Sequence, residues 1–350
     1  MLIGHGSFML DKTPLQGFPY IKLLDGVDLF FVLSGFLIGN ILLKKINRKD
    51  KFKFRSILVF WKRRWFRTLP NYYLILFVNY IFIFYKIVPG NLKMFDFDFF
   101  IFTQNFRFPL EGFFLESWSL AVEEWFYLII PILIYFLFKR FSAKKAFLFA
   151  VLIMIVMPIL YRIKIYQPGI SLYEWDVTFR KTVMSRLDSI GYGLFAAWIF
   201  FYYKKFWSKI KIPSLIIGLL IMCYVLNFRP GEFYYQVLYF ALSPLSVMFM
   251  MPFVESIKIG KGVWAFCVQH ISKISYSMYL INLGLVANVI RAHYFPKGGY
   301  DGMIKFLIYC FLVIFISSLL YKYFEKPVMN LRDKDLSLKK IARKFKIKKG

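Results

Sequence analysis

Three cysteines and three histidines are all that 350 residues provide for redox, metal or imidazole chemistry. Cys223, Cys267 and Cys310 lie in or beside apolar runs, without C-x-x-C spacing and without a histidine cluster nearby. That pattern supports neither a disulfide framework nor a zinc site, so the thiols read as small core residues and no metal is expected. Acidic residues are scarce too, 19 against 47 lysines and arginines, for a formal charge of +28. No internal repeat of roughly 20 to 50 residues is visible. Nor is any stretch polar enough to form a long soluble domain.

What the chain has in quantity is apolar length. Hydrophobic residues make up 59 % of it. Mostly apolar runs fall near residues 27 to 43, 71 to 89, 119 to 138, 146 to 162, 182 to 202, 212 to 227, 234 to 253, 271 to 291 and 303 to 323. Runs of about 20 such residues suit helices crossing a hydrocarbon layer of about 30 Å. The first ten residues, MLIGHGSFML, are too short to cross and read as the end of a tenth span whose first half is absent. The expected fold is therefore all-α, a polytopic membrane bundle of about ten spans with the first truncated. Residues 1 to 330 form its membrane domain and 331 to 350 a basic tail.

The charge follows the loops. Residues 44 to 67 hold eleven lysines and arginines, and residues 139 to 145 and 203 to 211 hold four each. Loops 11 to 26, 90 to 117, 164 to 181, 228 to 233 and 292 to 302 are sparse in them. Alternation of this kind places the basic set, and with it the C-terminus, on the cytoplasmic side of the inner membrane. The positive charge is then explained by orientation and lipid headgroups, and nucleic acid is not an expected partner. The stretches KFRSILVFWKRRWFRTLP and FDFDFFIFTQNF are expected at the interface or re-entering it.

Ionisable side chains are costly in such a setting, about 2.5 to 3.5 kcal/mol each on insertion scales, so each is a functional candidate. His5, near the external end of the first segment, suits a general base that takes a proton from a hydroxyl. By itself it is more simply a helix-end histidine. Asp28 opens the second span at the same level and suits a carboxylate that orients the imidazole, or equally a first-turn acid favoured by the helix dipole. Gly35 and Gly39, four apart, suit close helix packing more than phosphate binding. In LESWSLAVEEWFYLIIP, Ser119, Glu123, Tyr127 and Pro131 recur at steps of four and form one helix stripe, with Glu124 about 100° away. The stripe is expected to face a polar cavity near His5, leaving Glu116 and Glu124 at the water interface. Arg64 and Arg67 precede Pro70, which suits a helix start, and can grip phosphates or simply anchor the cytoplasmic side.

From GVDLFFVLSGFLI onward the chain resembles the membrane acyltransferase 3 family, whose members O-acylate bacterial surface sugars and some small molecules. RRWFRTLPNYY resembles its R-x-x-R-x-x-P segment, and SWSLAVEEWFYLIIP its W-S-L-x-x-E-x-x-x-Y block, which includes Trp118. ISKISYSMYLINL resembles its late I-S-Y-S-x-Y-L element and YFEKPVMN its E-[KR]-P. Order and spacing agree from residue 5 to about residue 330. The resemblance implies a ten-span enzyme that moves an acyl group, usually acetyl, from cytoplasmic acyl-CoA to an external hydroxyl on a glycan. It places His5 at the family's essential histidine, Arg64 and Arg67 at its arginine pair, and Glu123 at the acid of its W-S-L block. Two departures stand out. The family has an arginine about eleven residues before its histidine, where this sequence starts only four residues before His5, and Asn282 stands where many relatives have histidine. A transporter or flippase of sugars or lipid-linked glycans is the rival expectation, followed by an inactive scaffold. Transport would scatter charges across the midplane and leave inverted repeats, whereas here the charges gather at two faces.

Overall fold

The computed structural model describes residues 2–15, 25–48, 52–228, 230–258 and 260–333, so most of the expected basic tail lies outside the described residues. Backbone amides in hydrocarbon find no water, so apolar runs of this length satisfy them internally as helices. No strand occurs among the described residues. The main helices are α1 (Leu2–Gly6), α2 (Gly26–Ile46), α3 (Phe54–Phe84), α4 (Ser117–Phe138) and α5 (Ala143–Lys164). They continue with α6 (Leu187–Tyr202), α7 (Lys211–Asn227), α8 (Tyr239–Ser256), α9 (Val263–Ile281) and α10 (Gly299–Leu320).

Five stretches are both long and apolar enough to cross a membrane: Gly26–Ile46, Ser117–Phe138, Ala143–Lys164, Tyr234–Ser256 and Gly299–Leu331. The other four expected spans fall on α3, α6, α7 and α9, which do not meet both conditions. The protein is thus helical throughout its described residues and a multi-pass membrane protein, with five helices that qualify as spans by length and composition. Its outer faces agree. Leu29, Leu33, Leu37 and Ile41 form an exposed stripe at steps of four along α2. Such a continuous apolar stripe suits lipid and would be a liability in water.

Two local expectations are corrected. Pro70 does not begin a helix; it lies inside α3, which runs unbroken for 31 residues and joins the basic amphipathic stretch to the following apolar run. A proline deletes one backbone donor and kinks a helix, and flanking contacts hold the rest together. Tyr276 donates to the Thr68 carbonyl at 2.7 Å, while Tyr72 and Tyr73 donate to the carbonyls of Phe99 and Phe100 at 2.9 and 2.8 Å. Those last bonds fold the aromatic stretch against α3, burying Phe99 and Phe102. The second correction concerns the thiols: Cys223 and Cys267 are exposed and are not core fillers, whereas Cys310 is half-buried and packs against the core.

The bundle closes most tightly where α2 meets α6. A Cβ built on Gly35 would sit 2.1 Å from the Ile190 carbonyl oxygen, and one on Gly193 would sit 2.0 Å from that of Val32. Only glycine permits this backbone-to-backbone approach, which is the packing expected for Gly35. Two fully buried ion pairs flank it. Arg186 pairs with Asp28, and Arg162 pairs with Asp188 at 2.6 Å, all four side chains showing 0 % exposure.

Candidate active site

Helix α1 is short, so its place depends on contacts. A Cβ on Gly6 would meet Tyr309 and Phe306 of α10 at 2.8 and 2.9 Å, so the absence of a side chain lets α1 lie flat against that helix. His5 then meets the end of α9, where its Nδ1 hydrogen-bonds the side-chain oxygen of Asn282. At this point α9 passes into a π-helical turn, Asn282–Ala287. The Glu116 carboxylate, immediately before α4, accepts the backbone N–H of Gly284 from the same turn.

Around His5 opens a cavity of about 680 Å³ lined also by Asp25, Glu116, Trp118, Arg180 and Tyr279. Its parts come from segments far apart in the chain. Asp25 caps α2 by accepting from Val27 N–H at 3.0 Å and pairs with Arg180 at 2.8 Å. Arg180 also reaches Asp176 at 2.9 Å and lies 5.5 Å from the Trp118 ring centre. Asn105 holds this arginine segment to the start of α4, donating to the carbonyls of Lys181 and Trp118 at 2.6 and 3.0 Å. Tyr279 donates to the Glu116 carbonyl at 2.7 Å and shares a hydrogen bond with Ser119.

Electrostatics differ between the two acids of the cavity. Burial opposes ionisation of Asp25, but the charge and hydrogen bond of Arg180 outweigh it and hold the carboxyl below its usual range. Glu116 forms no ion pair among the described residues, and Lys181 acts on it only by its charge. Burial pushes it up to about 7 against the opposing hydrogen bond from Gly284.

A second polar cluster lies further along α4. Glu123 accepts from Ser34 at 2.6 Å and from Tyr127 at 2.7 Å. Arg64 and Arg67 are near enough to act on it by charge. The Arg64 guanidinium lies 6.0 Å from the Tyr127 ring centre and 5.9 Å from that of Phe60. Glu124 accepts from Thr68 at 2.6 Å. Glu325 accepts from Ser277 at 2.7 Å and Asn71 at 2.9 Å, so the R-x-x-R-x-x-P, I-S-Y-S and E-K-P segments meet here.

The expected residues are therefore distributed as follows. His5 and Trp118 line the cavity, and Ser119 reaches its wall through Tyr279. Ser119, Glu123 and Tyr127 do face the interior. Glu123 and Tyr127 nonetheless belong to the second cluster, because one to two further helical turns carry them past His5. Asp28 does not orient His5. It is fully buried against Arg186, Ser189 and Ser243, because it projects toward α6 and α8. Asp25, three residues earlier, is the carboxylate that lines the cavity. Nor do Glu116 and Glu124 merely meet water, being 4 % and 8 % exposed. Sequence reading also missed Arg180, Tyr279 and the contact made by Asn282; the only signal was an arginine in an otherwise sparse loop. Among the described residues no group of three or more His, Cys, Asp and Glu comes together as a metal site.

A family model described as an acyltransferase domain matches residues 3–322. The chain belongs to that acyltransferase family. It is 25 % identical over 332 residues to the O-acetyltransferase OatA of Staphylococcus aureus (strain NCTC 8325 / PS 47), covering 87 % of this chain and 52 % of that protein. A putative O-acetyltransferase, SACOL0978, of S. aureus (strain COL) is 24 % identical over 336 residues, covering 86 % and 52 %. The peptidoglycan O-acetyltransferase OatA of Listeria monocytogenes is 32 % identical over 157 residues, covering 41 % and 25 %. The chain thus spans about half the length of the S. aureus relatives it matches. No solved structure gives a significant match.

Proposed function

We propose that this chain is the membrane part of an O-acyltransferase that moves an acetyl group from cytoplasmic acetyl-CoA to a hydroxyl of a cell-envelope glycan. The observation that carries the reading is the cavity itself: His5 stands at a hollow lined by carboxylate, guanidinium and phenol groups, in a chain whose relatives are named O-acetyltransferases. His5 takes the proton of the acceptor hydroxyl, and the oxygen attacks the thioester carbonyl. The carbon–sulfur bond then breaks, and the CoA thiolate leaves with a proton returned by the imidazolium. Arg180 and Tyr279 line the same cavity and are suited to hold the acceptor or the developing oxyanion.

Arg64 and Arg67 suit the donor phosphates, since they lie on α3 at the second cluster and guanidinium groups bind phosphate bidentately. Glu123, between Arg64 and Tyr127, belongs to this donor side. In the same reading α3, α6, α7 and α9 also cross, the charge alternation puts the C-terminus in the cytoplasm, and the whole is an inner-membrane bundle of about ten spans with the first one truncated. The acceptor is a glycan such as peptidoglycan, O-antigen or capsule.

The test is transfer of radiolabel from acetyl-CoA to envelope glycan in membranes carrying the full-length protein. His5→Ala is expected to abolish labelling while the protein still inserts; undiminished labelling in that variant ends the assignment. Movement of glycan across the membrane without label transfer would establish the transporter instead.

A further inference from the structure

The hydrogen bonds around Asn282 determine which nitrogen of His5 carries a proton. The Asn282 amide nitrogen donates to the carbonyls of Met278 and Tyr279, each at 2.8 Å. Reversing the amide would set its oxygen against two carbonyl oxygens, so the orientation is fixed by chemistry. The side-chain oxygen is therefore the atom that faces His5 Nδ1, and it can only accept. Nδ1 must then be the protonated nitrogen, which leaves Nε2 with its lone pair.

A second observation concerns how Asn282 is held. It is fully buried and begins the π-helical turn Asn282–Ala287. Glu116 clamps that turn through the Gly284 N–H. A Cβ on Gly284 would sit 2.7 Å from a Glu116 carboxylate oxygen and from the Asn79 side-chain oxygen, so a larger residue there would push the Glu116 carboxylate off the turn. The wide turn, the missing side chain and the carboxylate together position the amide. π turns of this kind recur where a side chain must be re-aimed.

We propose that Asn282 is a positioning residue that locks His5 in the Nδ1–H tautomer, so that Nε2 is the base in the acyl transfer, with Glu116 and Gly284 holding the turn that aims it. The proposal rests on the reading of His5 as the general base. It gives Asn282 the orienting part expected of Asp28, with one chemical difference. A neutral amide fixes the tautomer and supports the imidazolium only by its hydrogen bond, whereas a carboxylate adds an opposite charge as well. The charged and titratable groups that line the His5 cavity are Asp25 from the cap of α2, Glu116 before α4, Arg180 and Lys181 from the segment before α6, and Tyr279 of α9. The Asn282 oxygen is the group in hydrogen-bond contact with Nδ1, and that contact governs the tautomer.

Three variants of the full-length protein in native membranes test this, with labelled acetyl-CoA as the probe. Asn282→Leu keeps the bulk and removes the acceptor; kcat is expected to fall about 10- to 100-fold with KM for acetyl-CoA within about twofold. Asn282→Asp keeps the acceptor oxygen, and its second oxygen faces the Met278 and Tyr279 carbonyls and must carry a proton to satisfy them, so kcat should stay at least about fivefold above that of Asn282→Leu at low pH and fall as that acid ionises. Nitrogen-15 NMR of histidine-labelled protein, with His5→Gln identifying the signal, should show protonated Nδ1 in the wild type. An Nε2–H signal in the wild type, or wild-type kcat in Asn282→Leu, overturns the proposal. If Asn282→Leu fails to insert, an Nε2–H signal in the wild type still overturns it. Retained transfer in His5→Ala would instead remove the functional reading while leaving the tautomer standing, so the two failures are distinguishable.

Discussion

Asp25 and Asp28 stand three residues apart at the start of one helix, and each pairs with an arginine of the segment 180 to 186, yet they do different work. Asp28 and Arg186 show no exposure, and serine hydroxyls of α6 and α8 complete the carboxylate's contacts. Asp25 and Arg180 keep 15 % and 28 % of their side-chain surface open and line the His5 cavity. The inner pair is an internal fastening between α2, α6 and α8. The outer pair puts charge where a ligand can reach it.

The sharpest break of this comparison is Asp28→Ala. It strands the Arg186 guanidinium, whose Nε and Nη1 have no hydrogen-bond partner among the described residues and which otherwise lies over the Phe240 and Phe31 rings at 4.5 and 6.0 Å. Removing one partner of a buried pair costs about 3 to 5 kcal/mol, a large share of the roughly 5 to 15 kcal/mol that holds a typical fold together. Folded protein counted by size-exclusion in detergent should collapse. Replacing both partners, Asp28→Leu with Arg186→Met, should restore a large part of it, since the uncompensated charge is then gone.

Second in size is Gly193→Leu. Its side chain would have to occupy the space of the Val32 carbonyl, so α2 and α6 must separate and carry Asp28 and Arg186 apart. The expected result is loss of folded protein comparable to Asp28→Ala but not recovered by altering the ion pair, a difference the same chromatographic assay reads.

How these roles could have been foreseen differs from residue to residue. Helices were legible because apolar length in a membrane admits no other satisfaction of the backbone, and Gly35 was legible as a packing position. Pro70 misled because proline usually marks a boundary, and only contacts from α9 and the aromatic stretch show why α3 continues through it. Asp28 misled because periodicity gives the angle of a side chain about its own helix but not which neighbour stands there. His5 was legible as a candidate. Its partner Asn282 lies 277 residues away, and no local pattern joins them.

Smaller and on the other side of the comparison is Arg180→Ala. The pair it breaks is partly open to water, so stability should change by no more than about 1 kcal/mol. Transfer of label to glycan should nevertheless fall at least tenfold in the proposed reading, because the cavity loses its guanidinium. Unchanged transfer would move the acceptor site away from this wall and make the Asp25 pair structural like its neighbour.

The smallest effect is expected from Glu116→Gln, and its sign follows from burial. The Glu116 carboxyl is raised to about 7 in the folded protein from an ordinary value of 4.5. A raised acid binds its proton more tightly when folded, so its contribution to stability is complete below the unfolded value and disappears as pH rises through about 7. Wild-type protein in detergent should therefore melt at progressively lower temperature as pH goes from about 5 to about 8. Glutamine keeps an oxygen to accept the Gly284 N–H and has no proton to lose, so the slope attributable to this residue should vanish in the variant. Asp25→Asn should show the opposite sign. The Asp25 carboxyl is depressed in the folded state, so its contribution is present above the usual carboxylate range and disappears as pH falls below it. Parallel melting curves for wild type and Glu116→Gln across that interval would mean that the carboxylate is hydrated in solution and does not clamp the π turn.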